Sequence, residues 1–349
     1  MILSTTLALC LSAALANALT TAQKAGMRVI YSYPGAAPPQ SLLDNISAGL
    51  VSGVIFFKEN IGTDFLNVIS QMNAANAKSP VGLPLLLMTD QEGGQVRRLP
   101  GEPVLSAKQM GLSSNPGATS STAGTDCASN MLSFGMNVNL APVLDVYRQP
   151  GDFEDFFQRS FGNTSTLVDT CGTAFIKAQQ AGGVAATAKH FPGLGAATHD
   201  QNTDSTPVTL GLTLSIIRSV DEVPYINAIK NGLKLVMPSW AVYKSVDTLP
   251  AGLSPFWLKT ELRGRLGFTG VTISDAIEAG SLVSFGTDAQ RSIIAAAAGM
   301  DLILAAGRSA SQGRTIVDAM TTALGDGTLN ASESDAAVAR ITSLRQSFA

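Results

Sequence analysis

Histidine, cysteine and charge are all scarce in this chain. Its 349 residues include two histidines, three cysteines and 14% charged side chains, and each shortage excludes something. No H-E-x-x-H or C-x-x-C spacing occurs, and the one candidate group, His190, His199, Asp200 and Asp204, lacks the usual zinc spacings, so no metal is expected. A net charge of −3 leaves no electrostatic footprint for nucleic acid. No Walker loop, G-x-S-x-G elbow or G-x-G-x-x-G turn follows an apolar run, so no nucleotide cofactor is expected and serine-hydrolase chemistry lacks its motif. Beyond the N-terminus no run of 18 apolar residues occurs, which argues against a membrane span.

The N-terminus itself, "MILSTTLALCLSAALANALT", has an apolar core and a small-residue cleavage site at Ala16-Asn17-Ala18. It reads as a secretory signal over residues 1–18, followed by one domain over 19–349. No Lys or Arg precedes the apolar core, and the alternative is a first helix of the fold. With Cys10 in the leader, Cys127 and Cys171 remain, either paired in an oxidising compartment or left as free buried thiols. Sequons at Asn45, Asn163 and Asn330 agree with secretion.

What the chain does have is apolar residues, 45% of the total, gathered in eight short runs. They lie at 27–33, 51–57, 84–90, 136–146, 184–191, 233–240, 270–276 and 300–306. Near-continuous apolar runs of this length suit parallel strands covered on both faces. Amphipathic or Ala-rich spacers such as 64–77, 165–182, 220–232 and 287–299 read as crossover helices, and 332–348 as a closing helix capped by Ser332 or Ser334. Eight such units predict an α/β fold, a single-domain (β/α)8 TIM-type barrel.

Five of these strands end on polar groups: Asp90, Asp145, Lys189 with His190, Ser239 and Asp275. In a barrel those ends converge on the face that carries the active site, although strand ends are often polar simply because loops begin there. In "MTDQEGGQVRRLPG" (88–101), Asp90 with Arg97 or Arg98 can grip vicinal sugar hydroxyls, or form a surface ion pair beside a turn. In "TISDAIEAG" (272–280), Asp275 can attack an anomeric carbon or stabilise an oxocarbenium ion; it can equally cap a helix. Arg159 in "FQRSFG" is either packing or a site residue, and Trp240 in "MPSWAVY" either stacks on a sugar or fills the core.

Taken together, "TDQEGGQVRRL", "NLAPVLDV", "RSFG", "KHFPGLG", "LSPFWLKTELRGRLGFTG" and "TISDAIEAG" resemble glycoside hydrolase family 3, nearest its single-barrel β-N-acetylhexosaminidases. The resemblance runs from about Leu19 to the C-terminus. It implies a carbohydrate substrate, no cofactor, and a retaining mechanism with Asp275 as nucleophile. It also implies that Asp90, Arg98, Arg159, Lys189 and His190 hold the non-reducing sugar. One position departs from the family pattern. Where that branch carries an Asp-Ser-His triplet with a catalytic histidine, this chain has Asp200, Gln201 and Asn202. Asparagine cannot transfer a proton at a useful pH. Asp204 is the first candidate to replace the acid/base and His199 the second. The alternatives are a β-glucosidase or glycoside phosphorylase of the same family, or an acid-deficient barrel that binds sugar with little turnover.

Overall fold

A computed structural model describes residues 19–349; the segment expected as a secretory signal, with Cys10, lies outside the described residues. The eight expected strands form: β1 (Val29–Tyr31), β2 (Gly53–Ile55), β3 (Leu86–Thr89), β4 (Val138–Asn139), β5 (Ala185–Phe191), β6 (Leu235–Pro238), β7 (Val271–Ala276) and β8 (Leu302–Leu304). Each pairs in parallel with the next, and β8 closes on β1 through Val29↔Ile303 and Ile30↔Leu304.

Residue alternation along these strands explains why the runs are apolar throughout. Ile30, Ile55, Leu86, Met88, Leu235 and Ile273 pack together in the barrel interior. Their neighbours Val29, Tyr31, Val54, Leu87 and Val236 face outward into a separate cluster under the helices. Both faces are buried, so no polar alternation survives. Among the described residues, no helix is long and apolar enough to cross a membrane.

Three expectations needed correction. The run 136–146 forms only a two-residue ladder, because Pro142 has no N–H to give. Beyond it the chain is held by Leu144 N–H to the Lys189 carbonyl at 2.7 Å. The segment expected as a helix over 220–232 is helical over Val223–Lys230, with a wider turn before it. The last helix, Ala331–Gln346, is capped by Asn330, whose Oδ1 accepts the Glu333 N–H at 3.0 Å. Ser334 is instead buried and receives a hydrogen bond from Arg28. Cys127 and Cys171, on the packed helices Pro116–Ser133 and Ser165–Ala181, are free buried thiols.

Candidate active site

The C-terminal strand ends open into a cavity of about 670 Å3. Asp90, Arg98, Arg159, Lys189, His190, Asp204 and Asp275 all line it, so the expected nucleophile, the first candidate acid and all five expected sugar-holding residues meet there. His199 does not line it. Its ring lies against Phe156, with centroids 4.2 Å apart, and its Nδ1 is 2.8 Å from Asp200 Oδ1 on the exposed rim. Trp240 is a core residue, buried, with its indole N–H donating to the Ala276 carbonyl at 3.0 Å.

The floor of the cavity is a chain of alternating charges. Lys189, at the end of β5, lies 2.8 Å from both Asp90 Oδ1 and Glu92 Oε1. Glu92 in turn takes both arms of Arg159, Nε and Nη2, at 2.9 Å each. Arg159 Nη1 reaches Glu154 at 3.1 Å, and His190 Nδ1 bonds Asp145 Oδ2 at 2.8 Å. The expected pair of Asp90 with Arg97 or Arg98 is therefore not made: Lys189 occupies Asp90, and Arg97 donates to the Gly101 carbonyl at 2.9 Å. Arg98 makes no ion pair among the described residues, and its buried Nε has no partner, which leaves a guanidinium facing the cavity.

Local hydrogen bonds explain how these side chains are held. Residues 91–97 form a small hairpin, and Gln91 Oε1 accepts the Arg98 and Leu99 N–H groups at 3.0 and 2.9 Å. Asn139 on β4 bonds the Gln91 backbone on both sides, N–H and carbonyl, at 3.0 Å each. That clamps Asp90 and Glu92 to the barrel. Asp145 is fully buried and organises the start of the next loop: besides His190 it accepts the Leu194 N–H at 2.6 Å. Gly195 in that loop lies against the Val146 backbone, where a Cβ would sit 2.7 Å from Val146 N. That glycine serves close approach rather than motion.

The electrostatics follow from burial and pairing. Burial alone would raise Glu92, but Arg159 and Lys189 overcome it and hold the carboxyl well below the usual range. Burial would lower His190, yet the adjacent Asp145, helped by Glu154, keeps it above its ordinary value. Burial pushes Glu154 up to about 7, against the opposing pull of Arg159 and His190. Burial also raises Asp204, and the negative charge of Asp275 raises it further. Asp204 is exposed as a residue because it faces the open cavity; the crowding around its carboxyl comes from the site walls. Asp275 Oδ1 accepts its own neighbour's N–H, from Ala276, at 2.7 Å. Asp145, Glu154 and His190 are the one trio of metal-type ligands within mutual reach among the described residues. His190 and Glu154 are already engaged there by Asp145 and Arg159.

Sequence reasoning missed Glu92 and Glu154 and left Asp145 without a role. Glu92 carried a signal, since two residues after Asp90 in an extended segment places both carboxyls on one side. Glu154 sits in a single helical turn, Phe153–Phe156, too short to show a period, and carried none.

The N-terminal domain model of glycosyl hydrolase family 3 matches residues 23–344. A protein of Arthroderma benhamiae named an uncharacterized secreted glycosyl hydrolase is 51% identical over 336 residues, 95% of each chain. A beta-hexosaminidase of Xanthomonas oryzae pv. oryzae is 33% identical over 263 residues, 73% of this chain and 76% of its own. Among solved structures, a beta-N-acetylhexosaminidase from Beutenbergia cavernae superposes with a TM-score of 0.83 at 32% identity, covering 94% of this chain and 99% of that one. A family 3 beta-N-acetylglucosaminidase from Paenibacillus gives 0.88 at 30% identity; 95% of this chain is covered, and it spans 63% of that longer chain. With the eight-stranded barrel and its polar strand-end cavity already in view, these matches establish that the chain belongs to glycosyl hydrolase family 3 and is a glycosidase.

Proposed function

We propose that the protein is a secreted β-N-acetylhexosaminidase that releases terminal β-linked N-acetylglucosamine with retention of configuration. One observation carries the reading most: Asp204 and Asp275 line the same cavity, and burial together with the Asp275 charge favours the protonated form of Asp204. A carboxyl with raised proton affinity in the same cavity as a second carboxyl is the pairing that glycoside hydrolysis uses. Asp275 attacks the anomeric carbon while Asp204 gives its proton to the departing glycosidic oxygen. The resulting glycosyl ester is opened by water, whose proton returns to Asp204 as the Asp275 carboxylate leaves. Asp90, Lys189, His190, Arg159 and the unpaired Arg98 hold the sugar hydroxyls. The names of the relatives support N-acetylhexosamine as the sugar, and the leader sequence with the name of the Arthroderma relative supports secretion.

Leaving-group dependence tests the assignment. Asp275→Ala is expected to abolish turnover of every N-acetylglucosaminide. Asp204→Ala is expected to keep hydrolysis of a dinitrophenyl glycoside, lose that of chitobiose, and form a β-glycosyl azide when azide is supplied. Phosphate-dependent turnover or preference for an aryl glucoside would replace the substrate assignment. Sugar binding without turnover of any activated glycoside would refute the hydrolase reading.

A further inference from the structure

The loop bearing Asp204 is fastened to the loop that follows Asp275, and the fastening leaves no room for a side chain. The Gly280 N–H donates to the Asp204 carbonyl at 2.7 Å, and the Ser281 N–H to the Thr203 carbonyl at 3.3 Å. A Cβ on Gly280 would overlap the Ser205 carbonyl, sitting 2.6 Å from its carbon and 3.0 Å from the Asp204 oxygen. These are backbone atoms, which cannot swing aside as a flexible side chain can. The φ of Gly280 lies outside the left-handed region, so an alanine there is strained by the docked loop and not by its own backbone.

Asn202 shapes the other end of the same turn. Its Oδ1 accepts the Asp204 N–H at 2.9 Å, and its carbonyl accepts the Ser205 and Thr206 N–H groups at 3.1 and 3.0 Å. An asparagine folding its side chain onto the N–H two residues ahead fixes a tight turn. Thr203, between Asn202 and Asp204, is buried.

We infer that Asn202 and Gly280 are positioning residues that dock the proposed acid, Asp204, onto the segment carrying Asp275. This inference rests on the proposed role of Asp204. Asn202, at the position where the family resemblance implies a histidine, here aims a carboxylate two residues further on. The acid and the nucleophile are thereby held on one backbone unit, joined by Gly280 five residues after Asp275. Proton transfer depends steeply on such placement, so displacing Asp204 by about 1 Å is expected to cost roughly 100-fold in the step it assists.

The test compares kcat/KM for chitobiose, whose leaving group needs a proton, with kcat/KM for dinitrophenyl N-acetylglucosaminide, whose leaving group does not. Gly280→Ala and Asn202→Ala are each expected to lower the chitobiose value about 100-fold and to leave the dinitrophenyl value within about threefold. Asn202→Ser, whose hydroxyl can accept the same N–H, is expected to recover most of the loss. Asp204→Asn serves as the reference for complete loss of the acid. If Asp204→Asn shows the leaving-group split and the two positioning variants do not, docking is refuted while the acid assignment stands. If Asp204→Asn shows no split, both fall. An equal loss on the two substrates in Gly280→Ala and Asn202→Ala means general damage and overturns the proposal; the surface-accessible Asn202 variant decides the matter should Gly280→Ala fold poorly.

Discussion

Replacing Glu92 by glutamine keeps the shape of the side chain and removes a charge that two buried cations share. Lys189 lies 2.8 Å from this carboxylate, and Arg159 grips it at 2.9 Å with both arms. The side chains of Glu92 and Lys189 retain only 5% and 3% of their exposure, so water cannot take over. Breaking a buried pair on one side costs about 3–5 kcal/mol. Here each cation keeps a second carboxyl partner, Asp90 for Lys189 and Glu154 for Arg159, which places the expected loss near the lower figure, about 3 kcal/mol. An unfolding entropy of about 2.1 cal/mol/K per residue over roughly 330 residues gives ~0.7 kcal/mol/K, so the melting temperature should fall by about 4 °C at pH 7. The pH dependence has a definite sign. The folded-state pKa of Glu92 lies below its unfolded value of about 4.5, so its contribution is complete above that pH and is lost as the pH falls further. The gap between wild type and Glu92→Gln, followed by scanning calorimetry from pH 7 to pH 3, should therefore narrow. A variant melting within about 1 °C of wild type at pH 7, or a gap that does not change with pH, would refute the charge-hub reasoning.

Three further outcomes follow from the same site. Because burial and Asp275 raise Asp204, turnover of chitobiose should decline on the alkaline side as this acid loses its proton, and Asp204→Asn should lack that limb; an unchanged limb in the variant would assign it to another group. Glu154, pushed up to about 7 from 4.5 by burial, stabilises most below pH 4.5 and loses that contribution as the pH rises through 7, a change of about 3 kcal/mol at most; Glu154→Gln should flatten urea-determined stability across that window. His199→Ala should keep chitobiose turnover within about twofold, since the ring sits on the rim against Phe156 and surface changes away from a site are usually small; a large loss confined to chitobiose would make His199 the acid and remove Asp204 from that role.

The barrel was legible because its physics is local and repetitive. Eight runs buried on both faces must be apolar throughout, and that pattern survives in a one-dimensional string. The polar strand ends were legible for a related reason: Asp90, Lys189, His190 and Asp275 interrupt apolar strands at the point where a barrel puts its site. What each of them touches was not. Asp90 seemed placed to meet a guanidinium from its own hairpin, yet it meets Lys189, 99 positions away, because parallel closure brings the ends of β3 and β5 to one cavity floor. Glu154 and Asp145 were harder still: Glu154 meets Arg159 five positions on within one irregular segment, and Asp145 meets His190 45 positions away, and neither contact leaves a periodic trace.

The clearest division falls on the stretch from Lys189 to Asp204. The sequence by itself determined that a strand ends on Lys189-His190, and that asparagine stands where the family's histidine is expected, because residue identity bounds what can carry a proton. Only the tertiary structure decided that His199 leaves the cavity while Asp204 stays in it. That choice is made by contacts between loops: the Phe156 ring takes His199, and the bare backbone of Gly280 takes the carbonyl of Asp204. Neither contact is encoded by spacing along the chain; both exist because the barrel brings the loops after β4, β5 and β7 to one rim.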